Sequence, residues 1–248
     1  MFKIFYFIIL FAPFLYSNTI TISTGEWTPW VSKELYKNGI GANITNEAFK
    51  TQNIKTEFHF FPWKRAYIVA KVLKNDTTGF WLKNPQREKD FYFSDSVFSI
   101  KNKLISKKGV DIDFNTIDDL KKYKIAITRG YSYTSQIDTM IKNNQLNIYI
   151  VNNDLAGLKQ VLKKEKFDAF LCSDNVAKSL IKQHFTLEEQ KRFHFSSNDV
   201  FQKDVFLMVS KNNKNHKEIL KKFNTGLNII KNNGVLEKIL DKTSGDNY

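Results

Sequence analysis

The sequence is short of the residues that staple or punctuate a chain, with one cysteine, four prolines and ten glycines in 248 residues. A lone Cys172 excludes an internal disulfide, so stability must rest on apolar cores. It lies in the apolar run 167–172, which suits a buried and inert thiol. The histidines (His59, His184, His194 and His216) are scattered, and none stands in a metal-ligand spacing. There is no nucleophile elbow, no phosphate-cradling glycine loop and no acid/base pair that spacing can place. The chain therefore reads as a protein without metal or cofactor, and not as an enzyme. The net charge is +13, yet there is no dense Lys/Arg block. The lysines fall on the polar faces of expected helices, which argues against nucleic acid as a partner. No low-complexity linker interrupts the chain.

What is present is core-forming material, 42% hydrophobic and 15% aromatic residues, which excludes a disordered chain. The N-terminus has the layout of a cleavable signal: Met1-Phe2-Lys3, an apolar run from Ile4 to Leu15 broken only by Pro13, and small Ser17 as the exit. That run is shorter than the ~20 apolar residues of a spanning helix. No cysteine follows it, so a lipid-modified cysteine is excluded there. Residues 1–17 are expected to be removed and the rest exported to the periplasm as a soluble protein, charged enough for a weak pull toward acidic partners.

Periodicity gives a doubled rhythm. Thr19 to Ser23 alternates as a strand, and Ile44, Ala48 and Phe49 recur at helical spacing. Thr56 to Phe61 is a second strand, ended by Pro62 at the start of a second helix. The pattern restarts after Lys103 to Ser106. Thr116 opens a capping box, Lys124 to Thr128 is a strand, and Arg129-Gly130 turns toward a helix expected near Ser132. Leu146 to Val151 is a strand, and Asp154 caps a helix with Leu155, Leu158, Val161 and Leu162 on one face. Phe167 to Leu171 is another strand, followed by a helix from Asp174 or Asn175. Val205 to Val209, a long amphipathic helix over 218–231 and a short last helix close the chain. Two β-α-β-α units point to an α/β protein of two lobes with a cleft between them.

Four stretches carry a resemblance: Gly25-Glu26-Trp27-Thr28-Pro29-Trp30; Pro62-Trp63-Lys64-Arg65-Ala66; the run from Asn84 through Arg87 to Asp95; and the ending from Phe223 past Gly234 to Leu240. In this order they resemble the bacterial extracellular solute-binding proteins of family 3, which serve amino-acid uptake. The resemblance implies the two-lobed type II periplasmic-binding-protein fold, each lobe a mostly parallel sheet flanked by helices. It implies a first lobe of residues 18–98 and 212–248, a second of 99–211, and a hinge near 97–101 and 209–212. It also implies a monomer that hands a small amino-acid-like carboxylate to an ABC-type membrane permease. A sensory protein of the same fold, or a dehydratase-like enzyme, is the alternative.

In that family an arginine at the place of Arg87 pairs with the ligand carboxylate, which suits the planar guanidinium fork. The plain alternative is an exposed Arg87 paired with Glu88 or Asp90. Gly130, Tyr131 and Ser132 follow a strand, where free N–H groups at a helix start would hold an anion, or Ser132 would simply cap the helix. Trp27, Trp30 and Trp63 leave strands at positions that face the crevice of an α/β sheet. Of these Trp27 and Trp63 are expected in the site and Trp30 in packing. Trp81 stands with Phe80 where the family places small ligand-contacting residues, and its bulk should narrow the cleft. For an ammonium group the resemblance points to Ser173 or Asp174, with Glu26 as a second anion.

Overall fold

Alternation and capping build an ordered succession of short elements. The computed structural model describes residues 19–163 and 166–241. The expected signal, residues 1–17, and the last residues of the expected first lobe lie outside the described residues. Strand β1 (Thr19–Thr24), helix α1 (Ile40–Lys50), β2 (Lys55–Phe60), α2 (Trp63–Lys71), β3 (Thr77–Leu82), α3 (Pro85–Asp90) and the long β4 (Phe91–Lys107) make the first part. Then come β5 (Lys124–Thr128), α4 (Ser135–Lys142), β6 (Asn147–Val151), α5 (Asp154–Lys163), β7 (Ala169–Ser173), α6 (Asp174–His184) and α7 (Leu187–Gln190). β8 (Phe193–Phe195), β9 (Phe201–Ser210), α8 (His216–Asn232) and α9 (Val235–Asp241) complete the described chain. No helix among the described residues is long and apolar enough to cross a membrane.

The strands lie in one sheet of order β2-β1-β3-β9-β4-β7-β5-β6, with β8 on β4. β1 pairs in parallel with β2 and β3, and β5 in parallel with β6 and β7. Antiparallel β9 and β4 join these two parallel halves. That inversion makes the halves run in opposite directions, and the register decides where they end. Leu82, the end of β3, reaches Phe98 of β4 through Val205, while Ser173, the end of β7, pairs with Asn102. The carboxyl ends of both halves therefore meet around the middle of β4. Carboxyl ends of parallel strands are where open α/β sheets bind ligands.

The sheet is covered by helices whose apolar faces pack on it. Phe49 of α1 meets Phe223 of α8 at a ring distance of 5.2 Å, and both are fully buried. A second cluster forms around Leu120, Ile125, Ile137 and Met140 under β5. Cys172 on β7 is buried in the cluster that holds Phe49 and Phe223, and burial pushes its thiol well above the usual range.

One expected boundary is corrected. The helix after β5 starts at Ser135 and not near Ser132, because Asp138 accepts hydrogen bonds from the Ser132 hydroxyl (2.7 Å) and the Tyr133 N–H (2.9 Å). These hold residues 132–134 outside the helix, and Thr134 becomes the cap by accepting from Ile137 N–H at 3.1 Å. Strand β3 and helix α3 had no clear periodicity. A Gly-Phe-Trp strand and a six-residue helix are too short and irregular to show one.

Candidate functional site

Where the two sets of strand ends meet there is a cleft of about 760 Å³. Its lining comes from residues 27–87 on one half of the sheet and 129–173 on the other, with Ile100, Asn102 and Phe201 from β4 and β9 between them. Of the residues singled out in the sequence, Trp27, Trp63, Trp81, Arg87, Gly130, Tyr131, Ser132 and Ser173 line it. Asp174 does not line it, nor does the exposed Glu26.

The first rim is aromatic. Trp27 meets Trp63 edge-on at 6.3 Å, and Trp63 meets Trp81 edge-on at 5.0 Å. Edge-to-face contacts of this kind hold rings more firmly than area alone. Trp63 fits because Gly25 lacks a side chain: a Cβ there would come within 2.4 Å of the indole. Trp81 is fixed by its Nε1–H, which donates to Thr78 Oγ1 at 2.8 Å. It follows a bulge between Gly79 and Trp81 in which Phe80 takes φ +71°. A left-handed phenylalanine is strained, and bulges of this sort re-aim side chains at sites. Trp30 is only 3% exposed and stacks on Phe98 at 4.0 Å, so it packs the floor and does not line the cleft.

Arg87 sits on α3, whose first turn is fixed by Asn84 Oδ1 accepting from the Arg87 N–H at 2.8 Å. Its guanidinium lies 4.8 Å over the Trp81 ring and donates to Leu82 O at 2.5 Å. Neither plain partner takes it. Glu88 pairs with Lys83 at 3.1 Å, and Asp90 accepts from Lys71 at 2.8 Å and from Tyr67 at 2.7 Å. Those two bonds hold the Asp90 carboxyl below its ordinary range. No carboxylate among the described residues pairs with Arg87. Burial pulls its pKa down, while the nearby Tyr67 and Asp138 pull it up, and an arginine stays charged throughout.

The second rim is polar. Gly130 takes φ +79°, a backbone form that a side chain resists. Tyr131 is 41% exposed, and its N–H is spent on Thr128 O at 3.2 Å. The Ser132 hydroxyl is spent on Asp138, as described above. Behind this turn the Asp154 carboxylate accepts from Thr128 Oγ1 at 2.5 Å and from Tyr131 OH at 3.0 Å. Burial raises its pKa above the usual carboxylate value, against the pull of those two bonds. Ser173 Oγ and Asn102 Nδ2 are buried with no hydrogen-bond partner, and the two residues face each other in the β4–β7 register. Asp174 instead opens α6 and binds Lys178 at 2.7 Å.

Tyr67, Asn102, Arg129 and Asp154 also line the cleft and were not foreseen as site residues. Asp154 carried a signal, since it was read as a helix cap following a strand. An acidic cap is so ordinary there that the cap explained it fully. In the structure Asn153 is the cap, its Oδ1 accepting from the Ala156 N–H at 2.8 Å, and Asp154 turns to Thr128 and Tyr131. Asn102 lies inside a strand, and only its position opposite the end of β7 gives it away. Among the described residues no group of three or more His, Cys, Asp or Glu is placed to hold a metal ion.

Residues 24–246 match the family described as bacterial extracellular solute-binding proteins, family 3. An arginine-binding extracellular protein, ArtP, from Bacillus subtilis is 26% identical over 163 residues, 64% of this chain and 58% of that protein. The alignment thus spans less than two thirds of that relative's length. An ancestral arginine-binding protein bound to arginine matches in structure with TM-score 0.71 and 22% identity, over 92% of this chain and 99% of that one. A histidine kinase sensor domain with similarity to periplasmic binding proteins matches with TM-score 0.74 and 14% identity, over 92% and 97%. The fold is that of the type II periplasmic binding proteins.

Proposed function

This chain belongs to the bacterial extracellular solute-binding proteins of family 3, and from that premise and its cleft we propose that it captures a small carboxylate-bearing, amino-acid-like solute outside the cytoplasm for delivery to an ABC-type permease. The observation that carries the reading is Arg87, a guanidinium without a carboxylate partner among the described residues, lining an aromatic cleft. A ligand carboxylate would meet it with two parallel hydrogen bonds. The name of the ArtP relative supports an amino-acid ligand.

The reading includes two lobes, residues 18–98 with 212–248 and residues 99–211, hinged where β4 and β9 cross between the halves. Its support is the register that brings the two sets of strand ends together at Phe98 and Asn102. Ligand meets the Trp27, Trp63 and Arg87 rim first and then bridges to the Gly130–Ser132 turn, closing the hinge. Only contacts made in the closed form shift that equilibrium. A monomer exported by residues 1–17 completes the proposal.

The test is a thermal-shift screen of the mature chain against amino acids, small peptides, polyamines and organic acids. A ligand at 100 times its Kd stabilises by about 2.7 kcal/mol, so a true ligand stands out. Small-angle scattering should show compaction with the hit. Silence from every carboxylate would overturn the reading. A sensory role is the second reading, favoured by the shared fold with a sensor domain. It expects a protein partner and no such compaction.

A further inference from the structure

The charged residues that line this cleft are Lys64 and Arg129, both exposed, the partly buried Arg87, and one acid. That acid is Asp154. It is 8% exposed and lines the cleft from the opposite half of the sheet. No other aspartate or glutamate is among the lining residues. No lysine, arginine or histidine among the described residues is close enough to pair with it or to move its titration. Its hydrogen-bond partners among the described residues are hydroxyls, Thr128 Oγ1 and Tyr131 OH. A carboxylate has about four acceptor positions, so the two hydroxyls leave about half of them open. A buried carboxylate with no cation is costly, and such groups are normally paired.

A second observation lies at the same place. Ser173 Oγ is buried and unpartnered and lines the cleft. It shares the cleft wall with Asp154. Ser173 can accept a hydrogen bond but cannot neutralise a cation. Asp174 binds Lys178 through Oδ2, and its Oδ1 is buried without a hydrogen-bond partner, but the residue does not line the cleft. The acid expected from the end of β7 is therefore missing from the cleft wall, while an acid from the end of β6 is present.

We infer that Asp154 receives the ligand's ammonium group, with Ser173 Oγ as a further acceptor and Tyr131 OH orienting the carboxylate, so that the ligand is a zwitterionic amino acid spanning Arg87 and Asp154. The inference rests on the solute-binding reading and sharpens it. The carboxylate end binds the first half of the sheet and the ammonium end the second. A ligand with only one of the two charges leaves a buried charge uncompensated.

The test measures selectivity by titration calorimetry on the mature chain. Matched pairs serve as probes: L-arginine and 5-guanidinopentanoate, L-glutamine and glutaramate, L-phenylalanine and 3-phenylpropanoate. Wild type should prefer the amino acid of the bound pair. In Asp154→Asn that preference should fall by roughly 30-fold or more, the usual loss when one partner of a buried charge pair is removed. The apo variant should melt as cooperatively as wild type, because both hydroxyls can rotate to suit the amide. Should Asp154→Asn fail to fold, Tyr131→Phe keeps the charge and should lower the same preference by a smaller factor. An unchanged preference, or an equal loss for both members of the pair, would give Asp154 a purely structural role and overturn the inference while leaving the solute-binding reading intact. If no member of any pair binds wild type, the underlying reading falls and the inference with it.

Discussion

The two rims of the cleft are built from the same kind of element, the carboxyl ends of parallel strands, and yet they differ in chemistry. The rim after β1, β2 and β3 is a chain of indoles, Trp27 to Trp63 to Trp81, ending on the Arg87 guanidinium. The rim after β5, β6 and β7 is a net of hydroxyls around two carboxylates, with Thr128 and Tyr131 on Asp154 and Ser132 on Asp138. The first rim is held by ring packing and offers a cation. The second is held by hydrogen bonds and offers a buried acid beside the exposed Arg129. On the proposed reading, a solute with charges of both signs is complementary to the pair.

The strongest way to break this contrast is to remove the cation. Arg87→Ala should weaken a carboxylate ligand by about 2–5 kcal/mol in calorimetry, the usual cost of leaving a buried partner unpaired. Unchanged affinity would remove Arg87 from the site.

The next test compares two glycines, one on each rim. Gly25→Ala forces a methyl into the Trp63 ring, where the contact would be 2.4 Å. Overpacking of this kind costs about 1–3 kcal/mol, and displacement of Trp63 should weaken ligand binding as well. Gly130→Ala meets nothing within 4 Å but must hold φ +79°. It should cost about 1–2 kcal/mol through the backbone alone. Denaturant melts of the two variants separate crowding from backbone strain. Loss of binding in Gly130→Ala alone would argue that the turn, and not the aromatic wall, sets affinity.

The last and smallest effect is directional. Burial raises the Asp154 pKa in the folded protein above its unfolded value. The protonated acid therefore favours the native state at low pH, and that contribution is lost as pH rises through the raised pKa. Asp154→Asn has no such loss. The melting temperature of the apo variant, taken relative to wild type, should climb as pH rises from about 4, then level off. Tyr131 and Tyr133 beside β5 and Cys172 on β7 also sense Asp154, but their pKa values lie far above this window. A flat difference across that window would mean that Asp154 is not desolvated.

Much of the fold was legible because it is written locally. The run 124–128 alternates and is β5, and Thr116 makes its capping box as the spacing implies. The irregular parts were hidden. The β3 bulge and the late start of α4 depend on Thr78 reaching Trp81 and Asp138 reaching back to Ser132, contacts with no periodic trace. The site followed the same division. Its indoles, Arg87 and the Gly130 turn could be named from motif and position, whereas Asp154 was masked by its other role as a helix start.

Taken alone, the order of residues determined the element types, the apolar faces, the lack of any disulfide and the two arrays of strand ends, since each depends on neighbours within a turn or a strand. The tertiary structure decided which ends meet. The inverted pairing of β9 and β4 brings Leu82 and Ser173 to the middle of one strand from opposite directions. It also decided that Asp174 turns to Lys178 while Asp154 lines the cleft. The physical reason is that charge complementarity across a cleft is a long-range quantity. It depends on which buried groups are left without partners once every strand has found its register.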